Sequence, residues 1–307
     1  MERRLPLGLA RDGQPVYANL DFLDGTRGAH VNISGISGVA TKTSYATFLL
    51  HGLFTSGVLG QDAGSTHALV FNVKGEDLLF LDQPNRRLTA ADRESYAALG
   101  LPAEPFRSLQ ILAPVRPASA ERLPATGSRL QGVTAFFWTL REFVEERLLR
   151  FLFAEAEDSA SQLSYVVDRV EAALLKACHD GRRNEPWVAI DGQRLETFAE
   201  LVEAIAAGAE GWSAAAPGTV AAFERRLRGA AARVGHLMRG RDVGRRDDHR
   251  LDWRRRQLTV IDIHALHQRA QRFVVGALLK RMFEDKEALG TSRPLVFVVL
   301  DELNKYA

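Results

Sequence analysis

The sequence holds one cysteine, Cys178, in 307 residues. A single thiol excludes an internal disulfide framework and a cysteine-based zinc site, and it fits a reducing cytoplasm. Long apolar runs are missing as well. The longest, Leu295 to Leu300, falls far short of the roughly 20 residues that a bilayer-crossing helix needs. The opening M-E-R-R-L-P-L-G has no extended apolar stretch of the signal-peptide kind, so neither secretion nor membrane spanning is expected. Charge of one sign is scarce too: 40 basic and 38 acidic residues leave a net +2, and any nucleic-acid footprint has to be local. What remains is 46% hydrophobic and 25% charged, ordinary globular material for one large or two modest domains.

The most informative stretch runs from His30 to Leu50, H-V-N-I-S-G-I-S-G-V-A-T-K-T-S-Y-A-T-F-L-L. Val31 and Ile33 alternate with polar neighbours as in a short strand, and Tyr45, Phe48, Leu49, Leu50 and Leu53 recur at helical spacing. A turn between strand and helix aims backbone N–H groups and a helix N-terminus at one point, which suits an anion. Gly35, Ser37, Gly38, Thr41, Lys42, Thr43 and Ser44 are the candidates to cradle phosphates there. Lys42 supplies a positive charge, and the Thr43 hydroxyl is placed for a magnesium ion. The spacing departs from G-x-x-x-x-G-K-[ST]. Gly35 lies seven residues before Lys42 instead of six, and Thr41 stands where the second glycine is expected. A β-branched residue does not readily take a positive φ, so the loop is expected to follow a different, wider path.

The rest of the chain reads as an α/β core with a helical insertion. Leu5 to Leu9 and Val16 to Leu20 flank R-D-G-Q-P as a small β ribbon. The helix after Lys42 should end near Gly57 or Gly60. Ala68 to Val73 is a nearly continuous apolar run of the kind that parallel sheets bury on both faces, and Lys74, Glu76 and Asp77 follow it either as a polar rim or as a solvated turn that starts the next helix. A capped surface helix is expected over 89–100, and a strand over 108–112. From Gly132 to about Gly240 helical periodicity dominates. T-A-F-F-W-T-L-R-E-F-V-E-E-R-L-L-R-F-L-F, residues 134–153, reads as part of a buried helix, with further helices over 160–178, 195–207 and 219–238. Residues 239–256 hold eight arginines against four aspartates, a density able to grip phosphate but more readily read as a solvated loop. A strand at Leu258 to Ile263, a helix at Leu266 to Leu289 and a strand at Leu295 to Leu300 imply a parallel crossover. The expected division is a lead-in over 1–28, a discontinuous core over 29–130 and 251–307, and an insertion over 131–250.

Asp301 and Glu302 end the last apolar strand. At such a position Asp301 can share a magnesium shell with Thr43, and Glu302 can orient or deprotonate a water attacking a terminal phosphate. A GTPase is disfavoured, because N-K-x-D would need aspartate where Asn304-Lys305-Tyr306-Ala307 ends in alanine.

Taken in order, the T-K-T loop, N-V-K-G-E-D after a strand, W-T-L-R-E-F, V-I-D-I and D-E-L-N-K-Y-A resemble the HerA/FtsK-type P-loop ATPases, specifically bacterial HerA-like ATP-binding proteins. The resemblance covers most of the chain from His30 onward. It implies a RecA-like fold with a mainly parallel sheet and ATP with Mg²⁺ bound between the subunits of a hexameric ring. It also implies translocation on double-stranded DNA, often beside a nuclease or other effector and sometimes in anti-phage defence. On that resemblance Gly35, Gly38, Lys42 and Thr43 take the Walker A role, Asp301 and Glu302 the Walker B role, and Lys74, Gly75 and Glu76 the loop after the second strand. Further strands are expected beyond Ala307, and the irregular loop implies slow hydrolysis by these residues alone. Two other readings remain at this point: a low-turnover nucleotide-binding scaffold that assembles an effector, and a protein-translocating relative, which would normally carry a membrane anchor.

Overall fold

The computed structural model describes residues 3–35, 41–117, 122–153, 162–178, 185–241, 243 and 249–302. In chain order the regular elements begin with β1 (Arg4–Leu9), β2 (Pro15–Asn19), α1 (Thr41–Thr55), β3 (Thr66–Asn72), α2 (Ala90–Ala98) and β4 (Leu109–Pro114). Next come β5 (Val133–Phe136), β6 (Trp138–Thr139), α3 (Leu140–Glu145), α4 (Gln162–Ala177), β7 (Val188–Ile190) and β8 (Gln193–Leu195). The remainder is α5 (Phe198–Ser213), α6 (Pro217–Val234), β9 (Met238–Arg239), β10 (Leu258–Asp262), α7 (Gln268–Leu289) and β11 (Leu295–Leu300). The fold is mixed α/β around a mainly parallel five-stranded sheet in the order β11-β3-β10-β4-β5. Contacts divide the chain into one unit of Met1–Ile111, Trp253–Ile261 and Gly290–Asp301, and another of Leu112–Asp252, Asp262–Leu289 and Glu302–Ala307.

The first unit is built on β3. All seven residues of T-H-A-L-V-F-N are buried, which is what a continuous apolar run demands of a strand flanked on both sides. Burying a side chain such as Leu69 or Phe71 is worth about 1.5–3 kcal/mol, so this strand anchors the unit. β11 pairs with it in parallel, Leu295 opposite Thr66 through Leu300 opposite Phe71. Arg293 holds the approach to β11 by donating to both carboxylate oxygens of Asp62, at 3.0 and 2.7 Å. Leu50 and Leu53 of α1 join Leu5, Leu20, Ala68, Val70, Leu258 and Val260 in one core. The expected ribbon forms as antiparallel β1 and β2, and α1 stops before Gly57, whose φ of 79° a side chain would strain. Thr89 and Asp92 cap α2 reciprocally.

One expectation in this unit fails. Residues 29–35 form no strand, and Val31 is 56% exposed. Two isolated apolar residues bury too little to offset the ordering of a strand, and among the described residues they find no ladder partner.

In the second unit α4, α5 and α6 pack on one another and α6 on α7, as the periodicity predicts. The stretch 134–153 does not form one helix. It splits into β5, β6, α3 and a 3-10 turn over Leu149–Phe153. Thr139 caps α3 by accepting from Glu142 N while the Glu142 carboxylate accepts from Thr139 N at 2.7 Å, so a helix can start only there. Arg147, with φ 53°, ends it. Of the aromatics in this stretch, Phe136, Phe137, Trp138 and Phe143 are buried in the core, while Phe151 and Phe153 are half-buried. Between α4 and α5, residues 188–195 form a hairpin, β7 to β8, turned by Asp191 and Gly192 at φ 51° and 79°.

Glu142 also anchors the end of the arginine-rich segment. It is 5% exposed, and it accepts from His249 Nε2 at 3.0 Å and from Arg250 Nε. Burial alone would raise its pKa, but the hydrogen bond and charge of His249, the Thr139 amide and Arg250 prevail and lower it from 4.5 to about 2. A depressed carboxyl pKa contributes stability above its ordinary value that is lost as pH falls from about 4.5 through about 2. Urea titrations across that range should show wild type losing a few kcal/mol that Glu142→Gln lacks at every pH. Parallel pH profiles for the two proteins would contradict this.

Candidate functional site

The site is assembled by β3, β11 and α1, all in the first unit. Parallel pairing puts Leu300 level with Phe71 at the carboxyl end of β11, and Asp301 is the next residue. α1 begins at Thr41, so Thr43 lies in its first turn. Thr43 Oγ1 donates to Asp301 Oδ2 at 2.9 Å, across a sequence separation of 258 residues. The fold thus joins the two residues that sequence reading assigned to one magnesium shell. A hydroxyl and a carboxylate side by side are hard oxygen donors of the kind Mg²⁺ takes together with water and phosphate oxygens.

The other predicted residues fall around this pair unevenly. Lys42 precedes Thr43 on α1 and is half-buried, while Ser44 follows it and is exposed. The spacing anomaly at Thr41 has a structural answer: this residue is already the first of the helix, so no left-handed conformation is asked of it. Gly35 is exposed in a stretch without regular structure, and Ser37 and Gly38 lie outside the described residues. Glu302 directly follows Asp301 and has a left-handed backbone, φ 55°, uncommon for a side chain of its kind. Strain of this sort clusters at functional positions.

Lys74 and Glu76 sit in a tight turn that sequence reading did not explain. Asn72, 1% exposed at the end of β3, donates from Nδ2 to the Gly75 carbonyl at 2.7 Å and accepts from Lys74 N at 3.3 Å. Gly75 takes φ 50° there. Lys74 is exposed and Glu76 half-buried. The signal for Asn72 was available: it is the one amide side chain in A-L-V-F-N-V. A second polar pair was also passed over. Asp262, 1% exposed at the end of β10, faces His264 Nδ1 at 2.9 and 3.0 Å, which fixes the proton on Nδ1.

Several arginines of residues 239–256 have partners within the protein. Arg241 Nε lies 2.9 Å from Glu196, Arg250 is held by Glu142, Arg239 lies over the Phe137 ring and Arg254 over that of Trp253. Arg245 and Arg246 lie outside the described residues.

No protein-family model and no curated protein matches the chain. Among solved structures, it is similar to VirB4 of Thermoanaerobacter pseudethanolicus, with a TM-score of 0.47 and 18% identity, covering 98% of this chain and 68% of that one. So distant a likeness carries no argument about activity.

The Thr43–Asp301 pair makes its own prediction. Thr43→Ala and Asp301→Asn should each weaken binding of a fluorescent ATP analogue about tenfold or more when Mg²⁺ is present, near 1.4 kcal/mol, and leave binding in excess chelator unchanged. Equal losses with and without Mg²⁺ would show that the pair does not serve the metal.

Proposed function

We propose that this chain is an ATP-binding and ATP-hydrolysing motor subunit acting on double-stranded DNA. The observation that carries the reading is the Thr43–Asp301 hydrogen bond, which unites a Lys-Thr helix start with a carboxylate at the end of a parallel strand. In this reading the N-terminal end of α1 and Lys42 bind the ATP phosphates, and Thr43 with Asp301 hold Mg²⁺. The metal, when bound, neutralises phosphate charge. Glu302 orients the attacking water and takes up its proton. The order of motifs supports a HerA-type assignment: a cytoplasmic ring of several copies, hexameric by that resemblance, working beside a nuclease or other effector, with anti-phage defence as one setting. One observation favours a slow enzyme. α1 starts at Thr41, so the glycine that ordinarily precedes the lysine is replaced by a helical, β-branched residue.

The test is ATP turnover by the full chain with and without linear duplex DNA. Turnover is expected to be low alone, to rise with DNA, and to fall at least about 100-fold in Lys42→Ala and in Glu302→Gln. A rate indifferent to DNA removes the translocase reading, and ATP-dependent assembly that survives Glu302→Gln without any turnover favours a scaffold instead.

A further inference from the structure

Helix α6 carries four arginines and one acid in F-E-R-R-L-R-G-A-A-A-R-V, residues 223–234. Its apolar residues Val220, Phe223, Leu227, Ala230, Ala231 and Val234 are buried, so its inward face is committed to the unit's core. At about 100° per residue, Arg225, Gly229, Arg233 and Arg226 fall in that angular order within an arc of about 100° on the other side. All four positions are exposed.

Arg269, at the start of α7, adds a fourth guanidinium to the group. It lies 3.9 Å from where a side chain on Gly229 would begin, so it rests over the bare centre of the arginine arc. The acids of the two helices do not neutralise that arc. The only acid of α6, Glu224, is 3.1 Å from Arg228, which is also bound by Glu203 at 3.0 Å. Among the described residues, Arg225, Arg226 and Arg233 have no carboxylate within salt-bridge distance. α7 has no Asp or Glu before Glu284. The three guanidiniums of α6 therefore share a surface about 12 Å long that the described acids leave uncompensated, with Arg269 seated beside them.

We infer that this α6–α7 face binds the phosphate backbone of double-stranded DNA. Arginine forks match phosphate oxygens bidentately, and several uncompensated guanidiniums on one face can neutralise several phosphates of a rigid duplex. An anionic membrane fits less well. Surface-binding helices insert apolar side chains beside their charges, whereas the large apolar residues described on α6 and on the first half of α7 are buried. The inference rests on DNA being the substrate in the proposed function, and not on ATP hydrolysis.

The experiment measures binding of the full chain to a fluorescent 30-base-pair duplex without nucleotide, over a salt series. Arg226→Gln/Arg233→Gln/Arg269→Gln should weaken binding at low salt at least tenfold. It should also lower the steepness of log K against log salt by about 2 to 3, near 0.9 for each phosphate that is no longer neutralised. A matched variant at exposed arginines of the first unit, Arg11→Gln/Arg86→Gln/Arg87→Gln, should keep the wild-type slope. DNA-independent ATP turnover and the melting curve should be unchanged in both variants, so loss of fold and loss of the nucleotide site are each read separately. An unchanged slope, an equal loss in the matched variant, or binding to phosphatidylserine vesicles in place of duplex would overturn the inference. A chain that binds DNA through this face but never hydrolyses ATP would keep it and sink the motor.

Discussion

Strand β3 is the constraint on which the candidate site depends. Its seven buried residues are packed on both faces, so a change of register would set every side chain against neighbours shaped for another. The register of β11 against β3 then sets where the last strand ends, and with it the level at which Asp301 emerges. Asp301 meets Thr43 because α1 packs its Leu50 and Leu53 into the same core that holds Ala68 and Val70. The hydrogen bond between the two is thus the end of a chain of packing decisions made by apolar residues that take no part in chemistry.

The same strand shows why a turn can be organised without a visible motif. Asn72 is buried at its end, where an unpaired amide would be costly, and both its polar atoms are satisfied by Gly75 and Lys74. That requirement shapes the loop that presents Lys74 and Glu76. Arg293 and Asp62 do comparable work at the opposite end of β11, where a bidentate pair fixes the strand's start.

Periodicity made much of this legible. Strands β3, β10 and β11 and helices α4, α6 and α7 follow from apolar spacing and lie within a few residues of where the pattern puts them, while α5 runs on to Ser213, six residues past its expected end. The pairing of Thr43 with Asp301 followed from residue type at strand and helix ends. What could not be read was local competition. In residues 134–153 the apolar spacing looks helical, but the Thr139–Glu142 capping box delays the helix, and Arg147 stops it after six residues. Val31 and Ile33 alternate like a strand, yet alternation specifies a strand only where a ladder partner exists. Asn72 and Asp262 stand in the stretches N-V-K-G-E-D and V-I-D-I, but their roles lie in hydrogen bonds to nearby groups, which spacing does not encode.

The span between Thr43 and Asp301 also sets a schedule. At about 5–20 residues per second, a ribosome needs on the order of 13 to 50 seconds to make the residues that separate them. Throughout that interval the N-terminal end of α1 can be present while the carboxylate it will meet has not been synthesised. A nascent chain therefore cannot form the Thr43–Asp301 hydrogen bond until β11 has been made and has aligned on β3, so the two halves of this pair meet only after all the chain between them has been synthesised.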